Sequence, residues 1–352
     1  MPDTLLIRAD AGVRMGTGHI MRCLALAQAW QEEGGEVLFC TAESLPALES
    51  RLLNEKMQVV DLADAVAGSL EDARQTALLG QQHKARWLVV DGYHFGAAYQ
   101  KYLKDAGYNL LFLAGFVHAD HYYADIVLNP NIYARNEMYV YREPYTQLLL
   151  GPAYTLLRRE FWHWRGHQRD IPQNAQNILV TLGGSDPDNV TLKVVRGLQQ
   201  IEDDNLHITI VAGGGNPHYQ ELAAAASSIR SSVQLKRDVS DMPELMAWAD
   251  VAISAAGGTC WELAFMGAPS LLLVLAENQE KVAEHFDEKS AAIYLGSGEK
   301  LSSQAIKEGV VSLINNPQLR QDLSSAGSQM IDGYGILRVV SAMNRVGKDD
   351  ET

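Results

Sequence analysis

The sequence has few of the features that mark secreted, membrane-spanning or nucleic-acid-binding proteins. Its only cysteines are Cys23, Cys40 and Cys260, and their lack of paired spacing argues against a disulfide framework. Acidic residues outnumber basic ones by 43 to 29, and the net charge of -14 disfavours a general nucleic-acid or anionic-membrane partner. No apolar run approaches transmembrane length, and the N-terminus lacks a basic region followed by an apolar signal core.

These absences favour a cytoplasmic enzyme or binding protein without stable membrane insertion. The 352 residues suit two domains, and 47% hydrophobic residues are normal for a soluble globular chain. An acidic chain can still bind a small phosphorylated ligand, since such a ligand needs only local positive potential. We therefore expect a small-molecule partner and no nucleic acid.

Strand-like and helix-like segments alternate in both halves of the chain, which predicts parallel sheets with helices on both faces. The predicted strands are 5–8, 36–40, 58–61, 87–91, 110–113 and 126–128 in the first half, and 177–182, 207–211, 233–235, 251–254, 270–274 and 292–295 in the second. The predicted helices are 19–33, 45–56, 70–81 and 97–106, then 189–201, 218–227, 241–247, 259–266, 279–289, 304–315 and 337–346.

The segment from 129 to about 172 interrupts this rhythm and is rich in Tyr, Arg, Trp and Pro. We interpret it as a packed connection between two Rossmann-like, doubly wound α/β domains, 1–150 and 151–332. A C-terminal helix and a solvated tail follow over 333–352. Ligands of such sheets bind at the carboxyl ends of the strands, so the expected site is a cleft between the domains.

The most informative motif is Gly16-Thr17-Gly18-His19, between a predicted strand and a predicted helix. Glycines allow close approach of the backbone to a ligand, and free N–H groups at a helix start favour an anion. His19 adds a titratable group there. Arg8, Arg14 and Arg22 flank the turn and can supply positive potential. The alternatives are an ordinary turn whose histidine only packs, and an arginine that only pairs with Asp10.

Four loops follow predicted strands of the second half and should emerge at one edge of the sheet. They are Gly183-Gly184-Ser185-Asp186, the loop that begins at Gly213, Gly257-Gly258-Thr259, and the loop that contains Asn278-Gln279. The third opens a helix and is a candidate for holding a diphosphate through backbone N–H groups, with Glu262 one turn further as a ribose ligand. Each loop alone is also compatible with a capped tight turn, but four at one edge favour a ligand site.

Asp91-Gly92-Tyr93-His94 also ends a predicted strand, at the same edge as His19. We expect Asp91 or Tyr93 to face a ligand and His94 to be structural. His118-Ala119-Asp120-His121 is interpreted as a solvated loop, so neither a metal ion nor a cofactor is expected.

Together these residues resemble the nucleotide-sugar hydrolases of pseudaminic acid biosynthesis, which act on UDP-2,4-diacetamido-2,4,6-trideoxy-β-L-altropyranose. That family is related to spore-coat polysaccharide proteins and, more distantly, to peptidoglycan N-acetylglucosaminyltransferases. The resemblance covers nearly the whole chain and is carried by Arg8-Ala9-Asp10, Gly16 to Leu24, Asp91-Gly92-Tyr93, Gly183 to Asp186, Gly257 to Glu262, and Asn278-Gln279. It implies a GT-B fold in which UDP is held mainly by the C-terminal domain.

The resemblance also implies roles for individual residues. His19 is the implied catalytic base, which activates water for inverting attack at the anomeric carbon, and Tyr93 lies near the sugar. Glu262 holds the ribose, Gly258, Thr259 and Cys260 hold the phosphates, and Asn278 and Gln279 contact the phosphate or sugar side. The remaining implied substrate-binding residues are Arg8, Asp10, Gly16, Gly18, Arg22, Asp91, Gly183, Gly184, Ser185, Gly213 and Gly257.

One departure concerns Ala114-Gly115, where the family usually carries two aspartates. Three hypotheses follow: a UDP-sugar hydrolase, a GT-B glycosyltransferase that uses a UDP-N-acetyl sugar, and a UDP-sugar-binding protein without catalysis. A membrane-docked transferase would need an apolar patch rimmed with basic residues, which the N-terminal half does not clearly contain. We therefore favour the hydrolase.

Overall fold

The computed structural model describes residues 3–62 and 65–346, and it divides into two compact units. The first comprises Met1–Gly12, His19–Arg159 and Tyr334–Thr352; the second comprises Val13–Gly18 and Glu160–Gly333. The first unit thus continues beyond residue 150 and includes the C-terminal helix. The tail expected at 348–352 lies outside the described residues.

The first unit is built on a parallel sheet. Its strands are β1 (Thr4–Ala9), β2 (Glu36–Thr41), β3 (Gln58–Asp61), β4 (Ala85–Asp91), β5 (Asn109–Leu113), β6 (Ile126–Asn129) and β7 (Gln147–Leu150). Its helices within the N-terminal half are α1 (Gly18–Glu32), α2 (Pro46–Asn54), α3 (Leu70–Gln82) and α4 (Ala97–Asp105). The strand order β3-β2-β1-β4-β5-β6-β7 reverses between β1 and β4, where parallel sheets open a crevice for ligands.

The second unit repeats this plan. Its strands are β8 (Asn177–Thr181), β9 (His207–Ala212), β10 (Ser232–Arg237), β11 (Val251–Ala255), β12 (Ser270–Val274) and β13 (Ile293–Ser297). Its helices are α5 (Val190–Leu198), α6 (Tyr219–Ala226), α7 (Met242–Trp248), α8 (Gly258–Phe265), α9 (Glu280–Glu288), α10 (Ser303–Ile314) and α11 (Pro317–Met330), after which α12 (Gly335–Arg345) returns to the first unit. The parallel order β10-β9-β8-β11-β12-β13 reverses between β8 and β11.

The predicted α/β alternation is confirmed, but one strand and one α-helix of the described residues were not predicted. Strand β7 lies inside the segment interpreted as a connection. It was not predicted because its short run of leucines, which pairs with β6, stands in a segment rich in tyrosine and arginine. Helix α11 has a weak apolar pattern, with several serines and Gly327 in its second half. Its start nevertheless carries a capping signal: the Asn316 side chain accepts from Leu319 N–H at 3.0 Å, and Pro317 follows at the first helical position.

Buried Arg320 of α11 fastens two segments of the second unit together. Its guanidinium donates to the carbonyls of Leu313 and Ile314 at the end of α10, and to those of Pro172 and Gln173 before β8. The residue has 0% exposure. A buried guanidinium is tolerated here because four carbonyl oxygens accept from its two terminal nitrogens.

Replacing Arg320 by methionine should therefore destabilise the protein. Four carbonyls would lose charge-assisted hydrogen bonds, and we expect a loss of about 3 kcal/mol in the free energy of unfolding. Urea titration followed by circular dichroism measures it. Exposed Arg196 of α5 provides the control, since Arg196→Met should change stability by less than about 0.5 kcal/mol. Equal effects of the two substitutions would contradict the role assigned to Arg320.

Candidate functional site

The candidate catalytic groups of the first unit come from the ends of neighbouring strands. Helix α1 follows β1 and carries His19 and Arg22 in its first turns, while Asp91 is the last residue of β4. Strands β1 and β4 pair in parallel, with Ala9 beside Asp91. Because parallel strands end at the same edge, a short loop after β1 brings the start of α1 to the end of β4.

One carboxylate organises this site. Asp91 Oδ1 lies 2.6 Å from His19 Nδ1, and Arg22 binds both oxygens, through Nε to Oδ2 and Nη2 to Oδ1, each at 2.5 Å. The Asp91 side chain has 0% exposure, against 5% for His19 and 26% for Arg22. Cys23 adds a longer contact from its thiol to Oδ2, at 3.5 Å. The structure thus brings together His19, Arg22 and Asp91, which the sequence analysis placed at the same sheet edge or beside the glycine turn.

Electrostatics fix the charge on Asp91 and the tautomer of His19. Burial would raise the pKa of Asp91, but Arg22 and His19 together hold that pKa well below its ordinary value. Burial, and then the Asp91 charge, raise the pKa of the Cys23 thiol, which disfavours the thiolate form that a nucleophile needs. An ionised Asp91 requires a hydrogen on His19 Nδ1, which leaves Nε2 as the acceptor of the ring.

Aromatic rings lie next to His19. Tyr93 approaches the imidazole edge-on, with ring centroids 4.7 Å apart, and Phe116 packs against Tyr93 at 4.8 Å. Tyr93 remains 37% exposed. Tyr93 therefore lies directly beside His19. Phe116, which follows β5, was not singled out from the sequence because a lone aromatic after a strand carries no distinctive pattern.

Arg8 and Asp10 do not reach this surface. Arg8 has 0% exposure and binds Asp72 through two nitrogens, at 3.0 and 2.9 Å, and Asp10 at 2.6 Å. Asp10 also accepts from the N–H groups of Ala42 and Glu43. Arg8 and Asp10 therefore pair with each other inside the first unit. This agrees with the alternative given above, in which an arginine beside the glycine turn only pairs with Asp10. His94 Nε2 lies 3.2 Å from Asp10, consistent with the structural role expected for it.

Ala114 and Gly115 occupy two different environments. Ala114 has 1% exposure inside the apolar core of the first unit, and its N–H donates to Leu128. An aspartate at 114 would bury a carboxylate among apolar side chains. Gly115 is half-buried, and a side chain there would instead point towards Tyr93 and Arg22.

In the second unit, the glycine loops after β8 and β9 pack against each other. Gly183 has a φ of +95°, and Gly215 N–H donates to the carbonyl of Gly184 at 3.0 Å. A Cβ on Gly213 would lie 2.4 Å from Gly184 Cα, so only glycine allows this approach. Asp186 turns inward and caps α5 through the N–H groups of Val190 and Thr191.

The loop after β11 opens α8 without a side-chain cap. Gly257 is the N-cap residue, and a Cβ on Gly258 would meet nothing within 4 Å. Both are accessible to some degree, as is Thr259. Cys260 differs: its thiol and its N–H both donate to the carbonyl of Gly257, and the side chain is buried. Cys260 therefore serves the turn, whereas Gly258 and Thr259 have the exposure that phosphate binding requires.

The loop after β12 lies beside the start of α8. Gln279 accepts from Leu275 N–H at 2.9 Å, and its Nε2 lies 3.6 Å from where a Cβ on Gly257 would be. Asn278 is exposed, and Glu262 is half-buried one turn into α8. Because β9, β8, β11 and β12 are adjacent and parallel, the four predicted loops do lie at one edge of the sheet. Ser185 is buried among them.

The two histidines of the 118–121 loop contact different partners. His118 Nδ1 lies 3.0 Å from the Phe116 carbonyl, and His121 Nε2 lies 3.0 Å from Glu143. Over residues 3–62 and 65–346, no three His, Cys, Asp or Glu side chains are placed to hold a metal ion. In the same part of the chain, no helix is both long and apolar enough to cross a membrane.

Comparison with known proteins supports this reading of the fold. Residues 177–333 match the model of the glycosyltransferase family 28 C-terminal domain. Among solved structures, MurG of Acinetobacter baumannii superimposes with a TM-score of 0.65 at 18% identity, covering 98% of this chain and 100% of that chain. The protein has a GT-B fold.

Curated relatives cover most of the chain. The spore coat polysaccharide biosynthesis protein SpsG of Bacillus subtilis is 28% identical over 339 residues, 96% of each protein. The UDP-2,4-diacetamido-2,4,6-trideoxy-β-L-altropyranose hydrolase of Campylobacter jejuni is 26% identical over 282 residues, 79% of this chain and 94% of that protein. The chain is thus similar to proteins of nucleotide-sugar and polysaccharide biosynthesis.

The buried Asp91 carboxylate should make Asp91→Asn destabilising, because Arg22 would lose its counter-charge. We expect a loss of about 3 kcal/mol, and the double variant Asp91→Asn/Arg22→Met should be more stable than Asp91→Asn alone. Chemical unfolding of the wild type and the variants measures both differences.

The stability difference between the wild type and Asp91→Asn should depend on pH. Folding lowers the pKa of Asp91 below its ordinary value of 3.8. The ionised carboxylate therefore contributes fully to folding stability at pH values above 3.8, and this contribution is lost as the pH falls below 3.8. The stability gap between wild type and Asp91→Asn should therefore narrow in acid. A gap that is constant down to low pH would show that the carboxylate charge is not what stabilises the site.

Proposed function

We propose that the protein is a metal-independent UDP-sugar hydrolase that releases UDP and a free sugar. The observation that carries the proposal is the buried Asp91 carboxylate 2.6 Å from His19 Nδ1, which leaves Nε2 of a histidine to act as a base. The proposed substrate is of the UDP-2,4-diacetamido-2,4,6-trideoxy-L-altrose type. The similarity to the Campylobacter jejuni hydrolase supports this substrate class.

In the proposed reaction, water attacks the anomeric carbon of the sugar. His19 Nε2 takes a proton from the water as the new C–O bond forms. The bond between the anomeric carbon and the phosphate oxygen breaks, its electron pair stays on UDP, and the sugar configuration inverts. Asp91 stabilises the resulting imidazolium, while Arg22 keeps Asp91 ionised and oriented. Tyr93 lies against the sugar in this proposal.

The second unit is proposed to hold UDP. Uncapped N–H groups at Gly258 and Thr259 suit the diphosphate, because the start of a helix favours an anion. Glu262 is proposed as the ribose ligand, and Asn278 and Gln279 as ligands on the phosphate or sugar side. In this proposal, the packed loops that contain Gly183, Gly184, Ser185 and Gly213 line the side of the UDP site next to these residues. By function, we propose that residues 1–150 form the domain that carries the catalytic histidine and residues 151–332 the UDP-binding domain.

A glycosyltransferase is the second candidate. The match to the glycosyltransferase family 28 C-terminal domain favours it, because that family is named for transfer. A transferase would use the same donor site, with an acceptor hydroxyl in place of water. Release of UDP and a reducing sugar without any acceptor identifies the hydrolase. Binding of the UDP-sugar with UDP release only after an acceptor is added identifies the transferase. Binding without release under either condition identifies a non-catalytic binding protein.

His19→Ala should abolish UDP release and leave the affinity for UDP within a few-fold of wild type. The reason is that the base is lost while the proposed nucleotide ligands lie on other residues. Release is measured from UDP-2-acetamido and UDP-2,4-diacetamido sugars, and UDP affinity by calorimetry. His207→Ala, at an exposed position in β9, is the matched control and should retain wild-type release. Undiminished turnover in His19→Ala would overturn the assignment.

Glu262→Ala should weaken UDP binding by about 1–3 kcal/mol, the cost of removing a charged acceptor from a ligand hydroxyl. Calorimetry with UDP and with uridine separates the ribose contact from phosphate contacts, since both ligands should lose affinity to the same degree. Exposed Glu244 of α7 provides the control substitution Glu244→Ala. Unchanged UDP affinity in Glu262→Ala would remove the ribose role.

A further inference from the structure

Two polar side chains that follow β6 reach back to the loop after β5. Asn131 Nδ2 and the Tyr133 hydroxyl both donate to the carbonyl of Gly115, at 2.7 and 2.9 Å. Asn131 has 9% exposure and Tyr133 has 8%, so both donors are largely shielded from solvent. Neither residue was singled out from the sequence, because both lie in the segment interpreted as a connection between domains.

The two donors are themselves held in place. Asn131 N–H donates to Asn129 Oδ1 at 3.0 Å, and Asn129 Nδ2 donates to the Tyr139 hydroxyl at 2.7 Å. Asn129 and Tyr139 are fully buried. Burial also raises the pKa of Tyr133 above its ordinary value, so its hydroxyl keeps the proton that it donates.

The Gly115 carbonyl belongs to a peptide that lies next to the proposed catalytic site. A Cβ on Gly115 would lie 3.4 Å from Tyr93 Cε1 and 3.6 Å from Arg22 Nη1, so the backbone lies beside both groups without an intervening side chain. The next residue, Phe116, packs its ring against Tyr93 with centroids 4.8 Å apart. The Tyr93 ring in turn lies edge-on to the imidazole of His19, at 4.7 Å.

The backbone around Phe116 is bonded at two successive carbonyls. Asn131 and Tyr133 bind the carbonyl of Gly115, and His118 Nδ1 lies 3.0 Å from the carbonyl of Phe116. Because a carbonyl oxygen can only accept, His118 Nδ1 carries the hydrogen of this bond. A backbone fixed in this way limits the directions that the Phe116 ring can take.

We propose that Asn131 and Tyr133 are positioning residues of the site, an inference that rests on the proposed function. They fix the peptide after Gly115, and through Phe116 that peptide holds Tyr93 edge-on to the proposed catalytic imidazole. Neither positioning residue exchanges a proton with the substrate or contacts the reacting atoms in this proposal. Loss of either donor should therefore misplace the ring beside the histidine and slow the reaction without removing the base.

Tyr133→Phe tests this series of contacts, because it removes one donor and keeps the ring. It should lower kcat for UDP release from the UDP-sugars used with His19→Ala by about tenfold, and leave the affinity for UDP unchanged. In a Tyr93→Ala background the same substitution should lower kcat by less than about twofold, because the ring through which it acts is gone. Equal fold-losses in the two backgrounds would overturn the proposal.

Tyr108→Phe is the matched control. The Tyr108 hydroxyl donates to the Ala77 carbonyl at 2.7 Å, and Tyr108 precedes β5, whereas Gly115 follows it. The control thus removes a bond of the same kind at the opposite end of the strand and should keep the wild-type kcat. A loss equal to that of Tyr133→Phe would indicate a general effect on the unit and overturn the positioning role. Asn131→Ala removes the other donor and should lower kcat as Tyr133→Phe does; a wild-type kcat would overturn the role of Asn131.

Nuclear magnetic resonance gives a readout that does not depend on turnover. The ring C–H signals of His19 are identified by their absence in His19→Ala, and the Tyr93 ring 4.7 Å away shifts them through its ring current. Tyr133→Phe should move these signals, and Tyr108→Phe should not. Signals that stay at the wild-type position in Tyr133→Phe would overturn the positioning role. Moved signals in a protein that releases UDP from no sugar tested would reject the proposed reaction and leave the positioning of Tyr93 standing.

Discussion

The site of the first unit depends on the charge of one buried carboxylate. Asp91 has 0% exposure, yet it is held ionised by a guanidinium on two sides and an imidazole on a third. The same contacts tie the end of β4 to the first turns of α1. Orientation of the histidine, choice of its tautomer and placement of Arg22 are thus consequences of a single ion-pair network. Removing the carboxylate would disturb all three together.

Parallel strand pairing supplies the second constraint. It places the loops that follow adjacent strands at one edge of the sheet. Residues far apart in sequence therefore become neighbours because their strands pair. In the second unit this brings the loops after β8 and β9 so close that a Cβ on Gly213 would lie 2.4 Å from Gly184 Cα. The uncapped start of α8 adjoins the same edge, and its N–H groups are oriented by the helix itself.

The sequence predicted the parts of the structure that follow from periodicity and from glycine at strand ends. The two sheets, the edge that carries His19 and Asp91, and the four loops of the second unit are of this kind. Side-chain direction did not follow from sequence: Arg8 and Asp10 pair inside the domain, and Cys260 donates inward to Gly257. Helix α11 was not predicted because its apolar pattern is weak. The cap at Asn316 stabilises its start instead.

Arg320 also bears on how the chain can be divided. Two of its carbonyl acceptors belong to Pro172 and Gln173, upstream of residue 177, where the family 28 match begins. A recombinant fragment cut at 177 would retain the cation but lose half of its acceptors. Water or misplaced backbone would have to replace them in the interior. A fragment that keeps all four acceptors of Arg320 therefore begins at or before Pro172, several residues earlier than the start of the family 28 match.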